Sequence, residues 1–140
     1  MLVRNCAGGI VFAGGKALLL RNERSEWVLP KGPIPEGALS ADSALAHVLE
    51  QTGVRAQVVG TVGETSYEFY STSRKTPVNN RILWYLMRSP DDSLRLNESM
   101  GIVDGGYFDR YTALSLITYS QDRGLLVRAW EQAGERADSP

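Results

Sequence analysis

Cysteine and histidine are almost absent from this chain: each occurs once in 140 residues. Cys6 alone rules out an internal disulfide and a zinc cluster of thiolates. It opens an apolar run, so a buried structural thiol in a reduced, cytoplasmic protein is the expectation. Charge of one sign is also lacking. Fifteen Lys and Arg stand against sixteen Asp and Glu, so no basic surplus drives bulk nucleic-acid or membrane binding. The longest apolar runs, such as Ile10–Ala13 and Ala17–Leu20, fall far below the roughly twenty residues of a membrane-spanning helix. No apolar signal core stands at the N-terminus, and there is no repeat and no low-complexity tract. What is present is ordinary for a globular domain: 43% hydrophobic and 22% charged residues, enough for one core. A single domain over 1–134 with a flexible tail at 135–140 is expected.

Along the chain, Asn5–Phe12 and Lys16–Arg21 read as strands joined at the Gly14-Gly15 turn signal. Trp27–Leu29 reads as a further short strand. Residues 30–37 hold three prolines and two glycines, which predicts a loop. Ser40 is then a candidate N-cap, and Asp42 suits the first helical turn. Ala41, Ala44, Leu45, Val48 and Leu49 give helical spacing over Ala41–Thr52, and Gly53 supplies the stop. Arg55–Val62 and Glu64–Tyr70 alternate as two strands around Gly63. Ser71–Asn80 reads as loop, and Arg81–Arg88 as a strand holding Trp84. Ile102–Asp109 includes a short apolar run. Thr112–Tyr119 and Gln121–Ala133 read as helices. The order predicts a mixed sheet flanked by helices.

The densest motif runs from Trp27 to Val54. It resembles the Nudix superfamily box, G-x5-E-x7-R-E-U-x-E-E-x-G-U, where U is a bulky aliphatic residue. Gly32, Glu50, Gly53 and Val54 match. The Leu29–Gly32 lead-in, Leu-Pro-Lys-Gly, resembles the diadenosine-polyphosphatase-like branch. Ala7–Ile10, Glu64–Phe69 and Tyr107-Phe108 extend the likeness, so that it covers most of residues 4–133. The resemblance implies an α/β/α sandwich with a mixed β-sheet. It also implies Mg²⁺- or Mn²⁺-dependent hydrolysis of a nucleoside diphosphate linked to another group. Homodimers and protein partners are further expectations.

The copy departs from the box at its acidic positions. Ala38, Ala46, His47 and Gln51 stand where the pattern has Glu, Arg, Glu and Glu. Residues at i, i+3 and i+4 share a helix face, so that face carries His47, Glu50 and Gln51 in place of three carboxylates. An amide adds no charge for Mg²⁺, and a neutral imidazole prefers softer metals. Losing a positioned base alone costs about 10²–10⁴-fold in rate. The expectation is a protein that binds a nucleotide or other diphosphate compound with lost or strongly reduced hydrolysis. Two alternatives stand beside it. One is an active hydrolase with a rearranged site, in which Glu50 holds the metal with the substrate, aided by Glu36 or Asp104. The other is an interaction scaffold without a small ligand. His47 with Glu50 is the candidate metal pair. Lys31 and Gly32 are candidates for phosphate contact, with Arg21, Arg24 and Arg81 adding positive charge. Tyr67 or Tyr70 is the candidate stacking ring.

Overall fold

The computed structural model describes residues 1–137. Its organising strand is β1 (Leu2–Ala13), apolar on both faces from Cys6 onward. A two-glycine turn returns the chain into β2 (Lys16–Asn22). Gly14 and Gly15 both take positive φ, 57° and 79°, the geometry that a tight hairpin requires. Two short strands follow, β3 (Trp27–Val28) and β4 (Lys31–Pro33), then helix α1 (Ser40–Thr52). A long hairpin of β5 (Gln57–Ser71) and β6 (Thr76–Arg88) comes next. A single 3-10 turn at Glu98–Met100, strand β7 (Ile102–Phe108), α2 (Arg110–Leu116) and α3 (Ser120–Ala137) complete the order.

The sheet is mixed. β1 runs parallel to β6 from Leu2↔Val78 to Phe12↔Arg88, and β6 is antiparallel to β5. The other edge of β1 is shared: β4 pairs antiparallel with Cys6–Gly8, and β2 pairs with Phe12–Ala13. β2 then diverges to pair with β7 and β3. Because strand side chains alternate, β1 feeds two cores. Ala7 and Val11 pack with Ala44 and Val48 of α1. Cys6, Ile10 and Phe12 pack with Trp84 and with Leu125, Leu126 and Ala129 of α3. The expected α/β/α sandwich is therefore present, and the free Cys6 thiol is buried. Among the described residues no helix is long and apolar enough to cross a membrane.

Several local expectations are corrected by tertiary pairing. The loop at 30–37 contains β4, because three of its residues find a free stretch of β1. Ser40 is not the N-cap. Leu39 holds that position without a side-chain bond, and the Ser40 hydroxyl bonds Tyr85 Oη. The two strands expected around Gly63 are one strand, β5, with register shifts between Val58 and Gly60 and between Thr61 and Gly63. Such bulges bend a strand without ending it. The loop expected at 71–80 shrinks to a turn, since pairing with β5 resumes at Thr76 and with β1 at Val78.

Helix α2 starts and ends earlier than Thr112–Tyr119. Asp109 caps it, accepting from the Thr112 N–H at 2.8 Å. Thr118 leaves the helix to bond Trp27, donating its N–H to the Trp27 carbonyl at 3.1 Å and accepting the Trp27 N–H on its hydroxyl at 2.8 Å. Helix α3 continues to Ala137, so part of the expected 135–140 tail is helical, and 138–140 lie outside the described residues.

Gly53 ends α1 with φ 73°, and its N–H bonds the Leu49 carbonyl at 2.9 Å. An added Cβ would also lie 2.9 Å from Arg95 Cβ. Gly53→Ala is expected to lower stability by about 1–2 kcal/mol, read as a shifted midpoint in urea unfolding.

Candidate functional site

A cavity of about 580 Å³ lies on the α3 side of the sheet, where α3 begins. Alternation sends Thr65, Tyr67 and Phe69 of β5 to this face, together with Arg4 and Ile82. Arg24 and Glu26 enter from the β2–β3 turn, Lys31 from β4, and Tyr119 to Asp122 from the start of α3. The volume suits a nucleotide-sized ligand.

A buried asparagine fixes the aromatic wall. Asn80, only 1% exposed, accepts the Arg4 Nε–H at 2.8 Å and donates to Tyr67 Oη at 2.7 Å. The Lys31 ammonium stands 6.0 Å from the Tyr67 ring centroid, at the outer range of a cation–π contact. Opposite lie two carboxyls. Glu26 takes hydrogen bonds from Tyr119 and Asn22, which hold its carboxyl below the usual range. The same contact with Glu26 pushes the Tyr119 phenol up. Burial pushes the Asp122 carboxyl up, and Lys31 partly offsets that. The cleft thus combines three cations, two carboxyls and three aromatic rings.

A smaller pocket of about 210 Å³ shares Asn22, Val28 and Lys31 with this cleft and adds Arg21, Gln51 and Gly101. Arg21 Nη2 lies 3.9 Å from the Asp104 carboxylate, and its buried Nε has no partner. Lys31 and Tyr67 therefore meet in the main cleft, with Arg24, and Arg21 stands beside it. Arg81 does not join them. It bonds Glu64 at 2.8 Å in a separate hollow of about 400 Å³. Tyr70, 62% exposed, lies across β5 from Tyr67. Glu36 and Glu50 are exposed and line none of these three cavities.

The box face of α1 is engaged with the chain itself. His47 Nε2 lies 2.6 Å from the Pro33 carbonyl, and Gln51 Nε2 donates to the Lys31 carbonyl at 2.8 Å. Gly32 passes directly beneath, where an added Cβ would sit 2.5 Å from the imidazole. Among the described residues no three His, Cys, Asp or Glu side chains gather as a metal-binding group. The donor set on this face fits poorly the divalent ion that the resemblance implies: His47 and Gln51 bring no charge and each spends a nitrogen on a β4 carbonyl, which leaves Glu50 as the carboxylate of the three.

No sequence motif marks Arg4, Glu26, Tyr119 or Asp122 as site residues. Asp122 looks like an ordinary acid of a first helical turn. The contact of Tyr119 with Glu26 spans 93 positions, beyond any local pattern.

No family model matches the chain. A protein of Mycobacterium tuberculosis named as mutator protein MutT4 is 30% identical over 105 residues, 75% of this chain. The chain spans 41% of the length of that relative. Among solved structures, a Nudix hydrolase from Nitrosomonas europaea superposes with a TM-score of 0.75 at 16% identity, covering 96% of this chain and 74% of its own. The E. coli dihydroneopterin triphosphate pyrophosphohydrolase gives 0.71 at 14% identity, covering 90% and 95%. A C. elegans Ap4A hydrolase gives 0.68 at 17%, covering 94% and 98%. The chain has the Nudix fold.

Two outcomes check this site. Gly32→Ala is expected to displace His47 from Pro33 and lower stability by about 1–3 kcal/mol, measured by urea unfolding. The folded Asp122 carboxyl lies above its ordinary value of 3.8, so its contribution is fully present below that pH and is lost as pH rises through the folded value. Asp122→Asn is therefore expected to be more stable than the parent at neutral pH. The gain should vanish below about pH 4, checked by thermal melts across pH.

Proposed function

We propose that this chain is a Nudix-superfamily protein that binds a nucleotide or another diphosphate-containing compound in the 580 Å³ cleft, with little or no metal-dependent pyrophosphohydrolase activity. Lys31 meets the phosphates, Arg24 adds positive charge at the turn, and Tyr67 offers its ring to a base. One observation carries the reading. The loop strand that sends Lys31 into the cleft turns its carbonyls to N–H donors of α1, so no carboxylate set stands ready on that face. Loss of charged ligands lowers divalent-ion affinity, and loss of a positioned base costs about 10²–10⁴-fold in rate. The buried free thiol of Cys6 accords with a cytoplasmic setting.

The activities named for the structural neighbours supply some of the first probes. Thermal shift and phosphate release are measured with diadenosine polyphosphates, pterin and nucleoside triphosphates, nucleotide sugars and ADP-ribose, each with Mg²⁺, Mn²⁺ or chelator. Stabilisation without turnover is expected, and Lys31→Ala should weaken binding about tenfold, the scale of one charge-assisted hydrogen bond. Metal-dependent turnover that Glu50→Gln abolishes would replace this reading with a rearranged hydrolase. A complete lack of shift and release would leave a protein-binding scaffold.

A further inference from the structure

We infer that the His47–Gln51 face of α1 is a metal-free clasp for β4, and that these two side chains are positioning residues for Lys31. β4 is short and lies between β1 and α1. Its inner edge is spent on β1: the Gly9 N–H bonds the Pro30 carbonyl at 3.1 Å, and the Ile34 N–H bonds the Asn5 carbonyl at 2.9 Å. The Lys31 and Pro33 carbonyls are taken up by Gln51 and His47 instead.

The spacing makes this possible. Two residues of strand advance about 6.6 Å, and four residues of helix advance about 6 Å. Side chains at 47 and 51 therefore reach carbonyls 33 and 31 together. A carbonyl only accepts, so His47 carries its proton on Nε2 and donates it. Two carboxylates at these positions would oppose acceptor to acceptor and would need a cation between them. Two N–H donors close the same gap with none. The absence of a side chain at Gly32 lets the imidazole lie against the strand. The clasp sets the backbone from which the Lys31 ammonium reaches the Tyr67 ring; only that last consequence rests on the ligand reading above.

The clasp is tested on chelator-treated, ligand-free protein. Exchange of the Ile34 amide proton is followed by NMR in the parent, Gln51→Glu, His47→Glu with Gln51→Glu, and His47→Gln, which keeps an N–H donor. Exchange about tenfold faster is expected in Gln51→Glu and in the double variant, and within about threefold of the parent in His47→Gln. Should the double variant not fold, Gln51→Glu alone decides. Unchanged exchange in Gln51→Glu would overturn the clasp. So would Mn²⁺ immobilised by the parent at micromolar concentration and released by Glu50→Gln, read by electron paramagnetic resonance.

Positioning is tested separately with inorganic pyrophosphate in chelator. Gln51→Glu should weaken its binding in the parent and leave it unchanged in a Lys31→Ala background. Equal weakening in both would overturn the positioning role. Pyrophosphate that fails to bind the parent would count against the ligand reading and against positioning, while the exchange result still decides the clasp.

Discussion

The closeness of Pro30 to β1 at Gly8 constrains everything built on the loop. A Cβ at Gly8 would stand 2.6 Å from the Pro30 carbonyl and 2.6 Å from the Trp84 ring. Backbone against backbone at that distance requires glycine, because the carbonyl oxygen is held in place by the Gly9 N–H at 3.1 Å. With Gly8 in place, Lys31–Pro33 pairs with Cys6–Gly8, α1 covers the far edge of that pairing, and Lys31 is delivered to the opposite side of the sheet. The route from a small residue on β1 to a cation in the cleft passes through main-chain contacts on the inner edge of β4 and through the His47 and Gln51 side chains on its outer edge.

The cleft gains its character from a second, independent constraint. Helix α3 packs Leu125, Leu126 and Ala129 onto the sheet, and its first turn reaches β5 beside Tyr67, where Gln121 Nε2 donates to the Ser66 carbonyl at 3.1 Å. The linker before it is tied to β3 by the paired bonds between Thr118 and Trp27. Glu26, Tyr119 and Asp122 are thereby brought against Lys31, and a partly buried carboxyl is held where it is poorly hydrated. This is a specific polar lining on an otherwise apolar face, the usual composition of a small-molecule site.

Much of the architecture was legible along the chain. β1, β2, α1 and the Gly53 stop follow from periodicity and turn chemistry, and the alternation of β5 correctly separates Tyr67 and Phe69 from Tyr70. The errors cluster where pairing overrides local composition. Pro77 and the polar residues around it suggested a loop, yet a strand on each side of β6 holds that segment extended. Gly63 suggested a break, yet a bulge absorbs it. Of the charged candidates, Lys31 and Arg24 reach the main cleft and Arg21 its neighbour. Arg81 turns to the other face because its strand position, odd beside Ile82, fixes its direction, and no motif encodes that.

The order of residues by itself determined β1, β2, α1 and α3 as elements and the replacement of acids by His47 and Gln51 on one helical face. Those are properties of spacing, composition and backbone preference over a few neighbouring residues. Only the tertiary structure decided what that face does. Whether an imidazole and an amide point to solvent, to a metal or to a carbonyl depends on which strand lies opposite. Here the Lys31 and Pro33 carbonyls lie there, 14 to 20 positions away in the chain, and hydrogen-bond geometry at under 3 Å leaves the two side chains committed to them.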